Sequence, residues 1–242
     1  VKVNYSEKYP KMFEKEKKGL ELLNKSSFII PNVFSSGSLK QIDYLILEYI
    51  KPSKSINWKI FGENLASLHQ ITSQEFGLDY DNYIGSIEQI NSCDKNWFDF
   101  YANKRLILLM KLARNKNLLT KKDCNEIERI CNSLKDIIPN SIPSLIHGDL
   151  WPGNIIGTEN GVPVVLIDPA VYYGHPEMDW AMLDLFGNFP KISFDTYNEI
   201  SPLEIGFQNR KYIYQLYPLL VHLVLFGSGY YSAVIRIVKK YS

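Results

Sequence analysis

The 242-residue chain has little of what would place it outside the ordinary globular enzymes. It has only three cysteines, Cys93, Cys124 and Cys131, an odd number in no metal-ligand spacing. That excludes a disulfide scaffold and a thiolate metal knot, and it fits a reduced, cytosolic (cytoplasmic) thiol set. There is no excess of one charge: Lys and Arg total 27, Asp and Glu 26, for a formal net charge of +1. No basic field therefore argues for a nucleic acid partner, and no polybasic run argues for a membrane surface. Long apolar runs are missing too. Leu216 to Phe226 reaches about half of the roughly 20 residues a spanning helix needs, and Pro218 and His222 interrupt it. Internal repeats and low-complexity tracts are absent, and nothing indicates an oligomeric state. What remains is a composition 45% hydrophobic and 13% aromatic, enough for one large core or a small lobe beside a larger one.

The order of elements predicts an α+β chain of two lobes. Val1 to Asn4 reads as the end of a strand, and Met12, Phe13, Leu20 and Leu23 fall on one face of a helix over 12–23. Apolar runs at Phe28–Phe34 and Tyr44–Ile50 predict two strands, with a turn at Ser35-Ser36-Gly37-Ser38. Lys51-Pro52-Ser53 then releases the chain into a linker. This gives a small strand-rich lobe over 1–51 and a larger, mainly helical lobe over 52–242. In the second lobe the periodicity predicts helices over 58–70, 97–115 and 121–138, and further helices from about residue 177. Between these lie a short strand at 142–146 and a hairpin, 154–156 against 162–167. The opening at Val1 implies that a preceding N-terminal portion lies outside this chain.

The chemistry concentrates at His147-Gly148-Asp149-Leu150-Trp151-Pro152-Gly153-Asn154, spaced H-x-D-x-x-x-x-N, and at Asp168 at the end of the hairpin's apolar return strand. Phosphoryl transfer needs these groups: a carboxylate to take the proton of the attacking hydroxyl, and an amide oxygen and a second carboxylate to hold Mg²⁺ against the phosphates. Asp, Asn, Gly and Pro are also ordinary loop formers, but a strand before, a hairpin after and Asp168 at its end favour the chemical reading. Asp149 is thus the candidate base, and Asn154 and Asp168 the candidate metal ligands for Mg·ATP. Upstream, Lys2 on a strand and Glu16 on the inward face of the next helix offer the ion pair that positions ATP phosphates, and a Glu on an apolar stripe needs a cation. Glu48, Tyr49 and Ile50 fall where a hinge would present backbone groups to adenine. No Gly-rich hairpin precedes Lys2, and a chain without one would bind ATP poorly.

The longer motifs resemble the fructosamine kinase (ketosamine-3-kinase) family, within the aminoglycoside-phosphotransferase-like group of protein-kinase-like folds. They are 147–154, the run from Ile167 through Asp168 to Glu177, Asp179-Trp180-Ala181-Met182 and Leu185-Phe186-Gly187. Met12–Glu16 with Gly19-Leu20, Asn82–Gly85 with Gln89 and Asn91, Arg105-Leu106, Tyr214–Pro218 and Phe226–Tyr230 extend the likeness along the chain. The resemblance implies ATP- and Mg²⁺-dependent phosphorylation of the 3-hydroxyl of a ketosamine, free or protein-bound, whose labile product then detaches: a deglycation. It also implies that Trp151 sits beside the acceptor sugar, and it makes Tyr172 and His175 candidate acceptor contacts. Val221 and Val224 stand where the family tends to carry Asn, so Leu219 to Phe226 reads as core. His69 and His222 read as structural, Trp97, Phe98, Phe100 and Tyr101 as helix packing, and Asp179 as a helix cap that braces the catalytic loop. An aminoglycoside, choline or another small alcohol remains an alternative acceptor, although 170–242 lacks the acidity a polycation favours. An inactive pseudokinase or binding module is the alternative of another class.

Overall fold

The computed structural model describes residues 1–187 and 189–241. The chain begins with β1 (Lys2–Tyr5), α1 (Met12–Leu23), β2 (Val33–Leu39) and β3 (Ile42–Leu47), the strands forming an antiparallel sheet of order β1-β3-β2. The turn predicted at Ser35–Ser38 lies inside β2, where Ser36 pairs with Leu45 and Gly37 with Tyr44. The chain reverses instead at Lys40-Gln41, with Lys40 at φ 57°. Cross-strand pairing has overridden a turn-like composition, as it often does in strands.

The linker after β3 is fastened to a hairpin distant in sequence. Ser53 N donates to Gly157 O (2.9 Å) and Asn57 N to Gly161 O (2.9 Å). Next come α2 (Trp58–His69), capped by Asn57, and a second hairpin, β4 (Asn82–Ile84) and β5 (Ile87–Gln89). The single helix expected over 97–115 is three pieces: α3 (Trp97–Tyr101), a π turn (Ala102–Leu106) and α4 (Ile107–Asn115). The helix expected over 121–138 divides at Ser133 into α5 (Lys121–Asn132) and α6 (Leu134–Ile137). Strand β6 (Ser144–Ile146) leads into the loop over 147–154, and β7 (Ile155–Ile156) and β8 (Val165–Leu166) form the third hairpin. Strand β9 (Tyr172–Gly174) returns beside β6, followed by α7 (Glu177–Phe186), α8 (Lys191–Ile200), α9 (Phe207–Phe226) and α10 (Tyr231–Tyr241).

Helix α9 keeps its course through Pro218, which cannot donate to the carbonyl four residues back. Tyr101 compensates, its hydroxyl donating to Ile213 O (2.7 Å) and, more weakly, to Tyr214 O (3.4 Å). The helix is core through Val224, but Phe226 is 66% exposed, which ends the predicted core run two residues early. One apolar cluster runs from Leu20, Leu23 and Phe28 through Leu65, Phe100 and Leu150 to Leu220 and Val238. Behind the catalytic loop, Arg210 forms a bidentate ion pair with the buried Glu177 and also donates to Ile205 O and Glu204 O. No helix of the described residues is long and apolar enough to cross a membrane.

Candidate active site

The catalytic loop leaves β6 through a backbone that only glycine adopts easily. Gly148 sits at φ 78°, and a Cβ there would lie 2.2 Å from Ala170 O. Asp179 in the first turn of α7 holds the loop from below: Oδ2 accepts from His147 N (2.8 Å) and Oδ1 from Gly148 N (3.0 Å). His69 Nε2 stands 3.3 Å from Oδ2, and His69 Nδ1 is 2.8 Å from the Tyr197 hydroxyl, so the predicted structural His69 steadies this brace. The His147 ring is fixed from both sides. Its Nδ1 accepts from Asp149 N (3.2 Å), which leaves Nε2–H to donate to Ile167 O (3.0 Å). Burial pushes its pKa below the ordinary histidine value despite the nearby Asp179, so the ring is neutral at physiological pH.

These contacts present the Asp149 side chain to an open cavity of about 480 Å³ that Asp168, Lys2 and Glu16 also line. The side chain takes a single protein hydrogen bond, Asn154 Nδ2 to Oδ2 at 3.1 Å, and the same amide nitrogen donates to Asp149 O at 2.8 Å. Burial pushes the Asp149 pKa up to about 7, Asn154 offsets part of the rise, and Asp168 and Asp179 add to it. A carboxyl so poised is well placed to remove a proton near neutral pH.

The third hairpin brings Asp168 to the same place. Ile155 pairs with Leu166, and Ile167 N donates to Asn154 O (3.1 Å), tying the two candidate metal ligands to one another through the backbone. Asp168 lies at φ 55°, in the left-handed region that glycine, asparagine and aspartate reach more readily than other residues. Lys2 Nζ reaches both Asp168 Oδ1 and Glu16 Oε1, each at 2.6 Å, so the predicted pair is a triad. Burial disfavours the ammonium, but the two carboxylates outweigh it and hold the Lys2 pKa above the ordinary lysine value.

This donor set fits Mg²⁺ bound with a phosphate. With its nitrogen turned to Asp149, the Asn154 amide leaves its oxygen for a cation, and Asp168 is 42% exposed on its side chain. Among the described residues no group of three or more His, Cys, Asp or Glu could hold a metal alone. Two hard oxygens suit an ion that keeps water and takes its remaining ligands from substrate.

The backbone just after Asp168, at Ala170 and Val171, is secured by a buried amide network. Asn82 Nδ2 donates to Val171 O (2.8 Å), and Gln89 Nε2 to Ala170 O (3.1 Å) and to Asn82 Oδ1 (2.7 Å). Asn91 Nδ2 also donates to Asn82 Oδ1 (2.8 Å), and the Tyr217 hydroxyl donates to Gln89 Oε1. The π turn carries Arg105, whose guanidinium donates to Ile90 O and Asn91 Oδ1 (2.7 Å each) and lies 4.0 Å from the Tyr172 ring centroid. The sequence pattern included these residues without showing what they do. Their polar identity at apolar-flanked positions was the available signal, because a buried amide needs partners.

Other predicted residues lie elsewhere. Tyr172 is fully buried under Arg105, and His175 packs between Trp97 and Tyr214, so neither reaches the cavity beside Asp149. Strand alternation turns Tyr172 inward and leaves its neighbour Tyr173 partly exposed. His175 belongs to a separate cavity with His69 and Glu204, and burial lowers its pKa to about 3. Trp151 is 41% exposed at the rim of the loop, its indole lying against Gly153. Glu48 turns its carboxylate to Asn32 N and Nδ2, and its own N–H goes to Asn32 O. Tyr49 is exposed and Ile50 half-buried where β3 runs out.

Comparison with known proteins decides the family. A family model described as fructosamine kinase matches residues 1–242. The chain belongs to the fructosamine kinase family. It is a phosphotransferase with an alcohol group as acceptor. The chloroplastic protein-ribulosamine 3-kinase of Arabidopsis thaliana is 38% identical over 96% of this chain and 72% of its own length. The solved structure of a candidate fructosamine-3-kinase from Haemophilus somnus 129PT superposes with a TM-score of 0.90 at 33% identity, covering 99% of this chain and 82% of that one. Aminoglycoside phosphotransferase APH(4)-Ia, as a thermostable mutant, gives a TM-score of 0.59 at 16% identity over 94% of this chain and 83% of that one, a likeness of fold alone. The fold is therefore α+β and protein-kinase-like, as the motifs implied.

Proposed function

We propose that this kinase phosphorylates the 3-hydroxyl of a ketosamine, using Mg·ATP, and thereby acts in deglycation. The observation that carries the reading is the shared cavity of Asp149, poised at about 7, and the Lys2–Glu16–Asp168 triad. A weakly solvated base and a phosphate-positioning cation stand on one wall, which is what transfer to an alcohol requires. Residues 1–51 form the nucleotide side, with Tyr49 and Ile50 nearest to where adenine would lie, and Glu48 acts through its bonds to Asn32. Residues 52–242 form the catalytic and acceptor side. The free thiols Cys93, Cys124 and Cys131 fit a reducing, cytoplasmic setting.

In the reaction Asp149 accepts the acceptor's hydroxyl proton as its oxygen attacks the γ-phosphorus; the new O–P bond forms as the bridging O–P bond to ADP breaks. Lys2 neutralises phosphate charge and Glu16 holds the Lys2 ammonium in place. Asn154 and Asp168 would hold Mg²⁺, which would supply charge neutralisation of the phosphates. Trp151, 41% exposed at the loop's rim, would be an aromatic face for the acceptor's protonated amine as it enters the site.

The test is nucleotide consumption with ribulosyl-, fructosyl- and erythrulosyl-lysine beside kanamycin and choline. Turnover confined to the ketosamines supports the reading. Turnover of only kanamycin or choline overturns it.

A further inference from the structure

The cavity beside Asp149 extends between α1 and the β4–β5 hairpin, where Tyr9, Lys15 and Tyr83 line it together with Asn4. None of these has a part in the phosphoryl chemistry described above. Tyr9 and Tyr83 meet edge to face, ring centroids 6.4 Å apart, and make an aromatic wall. Lys15 lays its ammonium 4.8 Å from the Tyr83 ring centroid, with a side chain only 18% exposed. Its one carboxylate neighbour is Glu88, at a long 3.4 Å and itself 55% exposed. Lys2, the other cation of the cavity, is already matched by Glu16 and Asp168. Lys15 is therefore the cation with capacity left for a ligand. Asn4 adds a hydrogen-bond acceptor. Its Nδ2 is turned to Met12 Sδ (3.2 Å), while Oδ1 is buried with no donor. A buried carbonyl oxygen without a partner is destabilising until something donates to it.

An ammonium on an aromatic floor beside an unmet acceptor suits a small molecule with both an anion and hydroxyls. We propose that Lys15 and Asn4 form an acceptor subsite selecting ketosamines with a carboxylate close to the glycated amine, that is, free glycated amino acids. Lys15 pairs with the carboxylate, Asn4 Oδ1 accepts from a sugar hydroxyl, and the 3-hydroxyl is left for Asp149. This rests on the ketosamine reading and adds which ketosamines are preferred. An anion could also be the transferred phosphate of the nucleotide, and the experiment separates the two.

Initial rates are compared for N-ribulosyl-glycine and its carboxamide, at varied ATP, for the wild type and Lys15→Ala. One partly exposed ion pair predicts a wild-type KM up to about fivefold lower for the carboxylate. In Lys15→Ala that ratio falls to about one. Glu88→Gln, which removes the competing carboxylate, raises the ratio above the wild type's and does not depend on the Ala variant folding. Equal KM values for the two acceptors in the wild type overturn the subsite. So does a rise in the KM for ATP in Lys15→Ala of the same size with both acceptors, which assigns Lys15 to the phosphate. Failure to phosphorylate either acceptor, with kanamycin or choline turned over instead, overturns the ketosamine reading and the subsite with it.

Discussion

Asp149 and Asp179 are two carboxylates at the two faces of one catalytic loop, and they differ chiefly in what donates to them. Asp179 is 1% exposed and accepts from His147 N and Gly148 N, with His69 Nε2 at 3.3 Å. Asp149, half-buried at the cavity, takes one side-chain donor at 3.1 Å. Burial alone therefore does not separate a structural carboxylate from a reactive one; the supply of donors does. A charge surrounded by fixed N–H groups is held in place, whereas one short of them seeks a proton. The same contrast separates the ion pairs. Glu177–Arg210 is bidentate and buried, while Lys2 is shared by two carboxylates and remains open enough to meet a phosphate.

Removing the reactive side of the comparison has the largest expected effect. Asp149→Asn keeps the shape and removes the proton acceptor, so kcat falls about 10²–10⁴-fold while Mg·ATP affinity, measured by calorimetry, stays near the wild type's. Its stability should rise, because the folded pKa of Asp149 lies above its unfolded value. A group shifted in that direction stabilises the fold below its unfolded pKa and loses that contribution as pH rises to about 7. The variant should therefore be more stable than the wild type at pH 8, by up to about 4 kcal/mol, and about equally stable at pH 4. Surviving activity would remove Asp149 from the role of base.

Changing the structural side has a smaller effect, of the opposite sign in stability. Asp179→Asn puts an amide nitrogen against a backbone N–H, since both oxygens of the native carboxylate accept from the loop. Loss of a charge-assisted bond and of a satisfied donor costs about 3 kcal/mol. Denaturant titration should show the loss, with a lowered kcat because Gly148 and Asp149 are no longer held. A variant as stable as the wild type would mean that the brace is not needed.

The reactive side was more legible in the sequence than the structural side, and for a physical reason. Asp149, Asn154 and Asp168 are close in sequence, so spacing on one loop and one hairpin brings them together. Lys2 and Glu16 were recoverable because a Glu on a helix's apolar stripe demands a cation, and the 12–23 helix is where periodicity put it. The network behind Asp168 joins residues from 82 to 217, with partners up to 128 positions apart, and no local pattern encodes such a match. Tyr172 and Tyr173 show the limit most clearly. The motif marks both, but which faces inward is set by the pairing of β9 with β6. The π turn at 102–106 is likewise not marked by any local pattern, and its Arg105 reaches partners more than ten residues away.

The mildest test of the comparison leaves the sequence intact and changes only pH. With Asp149 at about 7, its ionised fraction, and so kcat/KM, should fall about tenfold for each pH unit below that value. His147 contributes no limb there, because burial lowers its pKa and the neutral ring keeps both hydrogen bonds. Lys2, raised by Glu16 and Asp168, stays charged throughout. A rate unchanged from pH 5.5 to 8 would show that Asp149 is ionised across the range, and the distinction drawn from its missing donors would fail.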